Sequence, residues 1–132
     1  MRQTLLLALA VALISSVGLT GSAQADTVKG VAAVGYLQPV LKRDGKDIVT
    51  TIKVKNLSKG TIVGLKVEEY WYDKDNNPLS PGSNRLAQPL APGALGTIVI
   101  RMPADERMHA NNYQFSHDNG TVKATLYAKF QE

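Results

Sequence analysis

From about residue 27 onward, apolar and polar residues alternate. Ile48, Thr50, Ile52 and Val54 face one way, while Thr51, Lys53 and Lys55 face the other. That two-residue period belongs to a half-buried β-strand. Over 61–73, Val63, Leu65, Val67 and Trp71 share a face that also takes in Glu69. Lys66, Glu68, Tyr70 and Tyr72 share the opposite one. Near the C-terminus Val122, Ala124, Leu126, Ala128 and Phe130 form the inward row, and Lys123, Thr125, Tyr127 and Lys129 the outward row. No long segment repeats its apolar residues at the three- and four-residue steps of a helix.

Turn chemistry separates these segments. Asp44-Gly45 lies within a charged turn over 42–46, and 74–78 reads Lys-Asp-Asn-Asn-Pro. Leu90-Ala91-Pro92-Gly93 precedes a further alternating run over 95–102, which Pro103 stops. Asn119-Gly120 is a strong hairpin signal between 112–117 and 121–131. Pro81, Pro89 and Pro92 leave room only for a short edge strand near 85–88. With a first strand over 28–37, the pattern predicts an all-β chain of about seven short strands. Their spacing fits an immunoglobulin-like antiparallel β-sandwich. Two stacked sheets hide every inward row at once.

The N-terminus follows a different rule. Arg2 supplies a positive start, 5–14 is an unbroken apolar run, and Ala23-Gln24-Ala25 places small residues where a signal peptidase cuts. A run of ten is too short to span a bilayer. The segment 1–25 therefore reads as a helical, cleaved secretory signal, and 26–132 as the sandwich domain. No transmembrane segment is expected after cleavage. Arg2 leaves with the signal, so 14 basic residues face 11 acidic ones, a net charge of +3. These charges are scattered, which argues against a nucleic-acid partner. The chain has no Cys, so it carries neither a lipid-bearing Cys nor a disulfide. Small exported eukaryotic domains usually rely on disulfides. The expected location is bacterial, in the periplasm or outside the cell.

Four pieces in order resemble the FxLYD family of bacterial extracytoplasmic domains. Ile52-Lys53-Val54-Lys55-Asn56 is similar to its V-x-N strand end, and Leu65-Lys66-Val67 to its central strand. Trp71-Tyr72-Asp73 followed by Lys74-Asp75-Asn76 is similar to L-Y-D and its turn. Leu90-Ala91-Pro92-Gly93 is similar to the L-x-P-G turn. Glu69 stands at the Phe position and Trp71 at the Leu position. The resemblance implies an exported Ig-like sandwich without known catalytic residues, acting as an interaction module. A buried, unpaired carboxylate is costly. Glu69 therefore lies near the rim, pairs with a cation, or marks a bulge.

Candidate chemistry is sparse. Asp73, Asp75 and Asn77 match the first three ligand positions of a calcium loop, but Pro78 and Asn84 fall where its Gly and bidentate Glu belong. They read as a turn. His109 and His117 lack diagnostic metal spacing and read as solvated loop residues. No Ser lies in a G-x-S-x-G elbow. Ser116-His117-Asp118 and Glu68-Glu69 are consecutive residues that point apart on a strand. Neither an enzyme nor a cofactor is expected. The most distinctive feature is aromatic and basic: Tyr70, Tyr72 and Tyr127 with Lys66, Lys123 and Lys129 form one outward face if their strands share a sheet. Such a face fits a protein partner or a glycan.

Overall fold

The computed structural model describes residues 25–131. The signal segment expected over 1–25 lies outside them, apart from Ala25. The chain is all-β, with no helix among the described residues. Its strands are β1 (Ala32–Leu37), β2 (Val40–Asp44), β3 (Asp47–Asn56), β4 (Lys66–Tyr72), β5 (Gly82–Arg85), β6 (Leu95–Pro103), β7 (Ala110–His117) and β8 (Gly120–Tyr127). They form a curled mixed sheet in the order β2-β3-β1-β8-β7-β4-β5, with β6 on β3.

β3 is the hub. One of its edges pairs with β6 along Asp47–Lys55; its first half also pairs with β2, and its last residues pair with β1. β1 then runs parallel to β8 for six residue pairs, from Ala32↔Val122 to Leu37↔Tyr127. β4 lies antiparallel between β5 and β7. The curl brings β5 towards β6, where Asn84 Nδ2 donates to the Val99 carbonyl at 2.7 Å.

The core follows from alternation. Thr50, Ile52, Val54 and Asn56 of β3 are buried, as are Ile98, Ile100 and Met102 of β6 and Val67, Glu69 and Trp71 of β4. Ala32, Val34, Ile62, Leu65, Leu90 and Phe115 complete the interior. Each fully buried aliphatic side chain contributes about 1.5–3 kcal/mol. Asn56 is the polar pin of this interior. Its Nδ2 donates to the Gly60 and Leu90 carbonyls, each at 2.8 Å, and its Oδ1 accepts from Ser58 N. All its polar atoms are used, so it is buried without leaving an unsatisfied group.

Several expected boundaries shift for physical reasons. The charged run 42–46 is the end of a strand, β2, joined to β3 by a two-residue turn at Gly45-Lys46. Its five residues are all exposed, so no apolar alternation marked it. The strand expected over 61–73 breaks at Gly64, where φ is +67°. The break changes the parity, so Ile62 and Leu65 are both buried while Val63 is not. β5 falls at Gly82–Arg85 rather than 85–88. β8 ends at Tyr127, and Leu126 is 52% exposed instead of inward. Phe130, beyond the strand, lies against Tyr127 with ring centroids 6.3 Å apart.

Candidate functional site

β4 alternates strictly, so its outward row carries Lys66, Glu68, Tyr70 and Tyr72, all half-buried. Lys66 Nζ lies 3.3 Å from Glu68 Oε1, and the Tyr70 hydroxyl donates to Glu68 Oε2. Glu68 thus links a cation to an aromatic ring along one strand. The Tyr70 hydrogen bond, then Lys66, holds the Glu68 carboxyl below its ordinary range. The same bond raises the Tyr70 phenol above its own. In register across β7 stand Ser116, Gln114, Asn112 and Ala110. A shallow depression of about 340 Å³ lies among Tyr70, Tyr72, Asn112, Tyr113 and Gln114. Asn112 and Gln114 are the partners that the sequence reading did not name. Extending strict alternation through 110–117 places them on this row.

The structure divides the six predicted site residues. β8 pairs with β7 only at Ser116↔Thr121 and His117↔Gly120; from there it follows β1. Lys66, Tyr70 and Tyr72 stay together on β4. Tyr127 instead packs over Gly35 of β1, where an added Cβ would meet its ring at 3.0 Å. Lys123 and Lys129 are exposed, the former on β8 and the latter just beyond it. The continuous face expected from one shared sheet is therefore split. The cause is a change of strand partner, which no local pattern announces.

Directly beneath the tyrosines lies a buried polar cluster. Glu69 is fully buried rather than at the rim, it has no ion pair among the described residues, and β4 carries no bulge there. Its Oε1 accepts from Trp71 Nε1 at 2.9 Å. Its Oε2 and Thr50 Oγ1 have no hydrogen-bond partner among the described residues. Tyr113 faces Glu69 in register, and its hydroxyl accepts from Asn111 Nδ2 at 2.9 Å. Burial, and then the neighbouring Glu69, push the Tyr113 phenol well above its ordinary range.

The two histidines differ. His109 is exposed, whereas His117 is buried and is not the solvated loop residue expected. Its Nδ1 accepts from Asn119 N at 3.3 Å, which leaves Nε2 to donate to the Gly30 carbonyl at 2.6 Å. Gly30 N returns a bond to the Asn119 carbonyl at 2.9 Å. His117 thereby ties the β7–β8 turn to the segment that leads into β1. No signal short of the tertiary structure marks this role.

Asp73 accepts from the Asn77 and Asp75 backbone N–H groups and from Asn77 Nδ2. These bonds, the Asn77 backbone bond first, lower its carboxyl pKa. The 73–77 loop is a built turn beside an open depression of about 460 Å³ that reaches Arg107 and His109. Among the described residues no group of three or more His, Cys, Asp or Glu is placed to hold a metal ion. On the rim, Arg107 bonds to Asp105 through Nε, Nη2 and its backbone N–H. The side-chain bonds dominate, and they hold the Asp105 carboxyl at about 2. This exposed pair favours the fold above the unfolded carboxyl pKa of about 3.9, and the benefit is lost as pH falls through about 2. In Arg107→Gln the Asp105 titration, followed by carbon NMR of its carboxyl, should move up towards the unfolded value. An unchanged midpoint would show that Arg107 does not hold it.

The sequence matches no family model and no curated protein. Among solved structures, the chain is similar to a β-glucosidase from Kluyveromyces marxianus, at 13% identity and a TM-score of 0.41. That likeness covers 67% of this chain and 15% of the glucosidase. No helix among the described residues is long and apolar enough to cross a membrane.

Proposed function

We propose that the chain is an exported, non-catalytic interaction module of the bacterial envelope, which binds a protein partner through the outward row of β4. The observation that carries this reading is the placement of Tyr70 and Tyr72, half-exposed beside Asn112 and Gln114 on one sheet surface. Tyrosine offers a large contact area, an amphipathic ring and little side-chain entropy to lose, and it is enriched where proteins bind one another. Lys66 and Glu68 keep the row polar and fix the Tyr70 ring. The secretory signal read over 1–25 supports export. The ordered resemblance to FxLYD domains supports an interaction role, and it supports reading the curled sheet as an Ig-like sandwich. In that reading β2, β6, β3, β1 and β8 form one layer and β5, β4 and β7 the other.

A second reading is a glycan-binding module. The shallow depression favours it, because two phenol rings flanked by an Asn and a Gln provide stacking surfaces together with amide donors and acceptors. The test is a benzophenone amino acid at position 72, irradiated in living cells, with position 99 on the outer face of β6 as the control. A protein partner gives one discrete crosslinked species from position 72 and none from 99. Adding Tyr70→Ala should reduce it on the order of tenfold. Equal yields at the two positions, or none at 72, would overturn the protein reading. Competition by a soluble envelope glycan would transfer the face to the second reading.

A further inference from the structure

The parting of β7 from β8 leaves a strand edge without the usual protection. β7 pairs with β4 along one side, but on the other side, among the described residues, only Ser116 and His117 have strand partners. Between Asn111 and Phe115, alternate backbone N–H and C=O groups on that side face no strand among the described residues. Natural sheets blunt such edges with lysine, proline or a bulge. The free edge of β2 carries Lys42, Arg43 and Asp44. β5 is met by β6 through Asn84, and β8 carries Lys123. β7 alone reads Ala-Asn-Asn-Tyr-Gln-Phe-Ser before His117, with neither charge nor proline.

What lies across the parting defines the occupant. Leu126 continues the row of Val122 and Ala124, which pack on the core, yet it is 52% exposed. Lys123 and Lys129 are exposed and have no acidic partner among the described residues. We propose that β7 accepts an added β-strand from a partner protein, an extended segment that alternates apolar and acidic residues. Main-chain hydrogen bonds to 111–115 supply affinity, and alternate side chains supply specificity. Apolar ones cover Leu126, while acidic ones meet Lys123 and Lys129. This goes beyond the tyrosine face, which lies over β4 and the other edge of β7.

The experiment uses isotope-labelled full-length protein and an acetylated, amidated decapeptide alternating valine and glutamate. Amide signals over 111–115 should shift and gain protection from hydrogen exchange. The peptide with lysine for glutamate should bind at least about tenfold more weakly. N-methylation of the alternate residues along one peptide edge should abolish binding, whereas methylation along the other edge should not. Leu126→Asp, at an exposed position, should also weaken binding by about tenfold or more. No response over 111–115 at millimolar peptide, or equal binding of the lysine peptide, would overturn the proposal. Protection of the same amides that rises with protein concentration, without peptide, would assign the edge to a second copy and overturn it as well. Loss of the position-72 crosslink with these shifts intact would remove the tyrosine reading alone.

Discussion

Replacing Trp71 by alanine should remove about 4 kcal/mol of folding free energy, in the range for a large buried aromatic. A domain of this size has only about 5–15 kcal/mol to lose. Two effects combine. The indole is a large buried side chain, at 8% exposure. Its Nε1 also supplies the hydrogen bond to Glu69 Oε1, and Glu69 Oε2 already lacks a partner among the described residues. A double-mutant cycle separates the two. Trp71→Phe keeps part of the volume but strands the carboxylate oxygen, and should cost about 2–3 kcal/mol. Adding Glu69→Met removes the stranded group and should return about 1–2 kcal/mol, because breaking a buried polar pair costs more than replacing it with an apolar one. Urea unfolding followed by far-ultraviolet circular dichroism reads Trp71→Ala, Trp71→Phe, Glu69→Met and the double variant. Simple additivity of the two substitutions would show that Trp71 and Glu69 act independently.

Gly120→Ala should be nearly as damaging, at about 3 kcal/mol, the upper end for forced overpacking. That corresponds to roughly 15 °C in Tm for a chain of this length. A Cβ at this position would stand 2.2 Å from the Gly30 carbonyl oxygen and 2.8 Å from its Cα. The obstacle is backbone, so no rotamer relieves it. Moving Gly30 away would also break the bonds from His117 Nε2 and to the Asn119 carbonyl. Gly45→Ala is the control. Gly45 also has a positive φ, but its added Cβ meets nothing within 4 Å. It should cost only the left-handed backbone penalty, about 1–2 kcal/mol. Calorimetric melting of the two variants side by side checks the difference. Equal losses would mean that the approach of Gly30 is not what requires glycine at 120.

Alternation made the strand interiors legible. Ile52, Val54, Val67, Trp71, Ile98 and Ile100 are buried as their two-residue period requires, because each lies on a strand with one dry face. The period also put Glu69 on the inward row; only the structure shows that Trp71 receives it there. Where the period failed, a backbone event had reset it. Gly64 shifts the parity between Ile62 and Leu65, and β2 has no dry face to leave a trace. The candidate site was half legible. Lys66, Tyr70 and Tyr72 follow from their own strand, and Asn112 and Gln114 from its neighbour. The separation of Tyr127, Lys123 and Lys129 does not, because it depends on which strand β8 pairs with after residue 121. Nothing in 121–127 distinguishes a parallel partner from an antiparallel one. His117 was illegible for a similar reason: its acceptor, Gly30, is 87 residues away.

That exchange of partner underlies both the divided tyrosine face and the open edge of β7. Interstrand nuclear Overhauser effects test it most directly. Parallel-strand cross-peaks are expected between the backbones of Gly35 and Thr125 and of Val34 and Ala124, following the β1–β8 register. None is expected between β7 and β8 beyond the Ser116↔Thr121 and His117↔Gly120 pairs. A continuous antiparallel ladder that brings Gln114 opposite Lys123 would contradict it, returning Tyr127 to the sheet of Tyr70 and Tyr72 and closing the edge to any added strand.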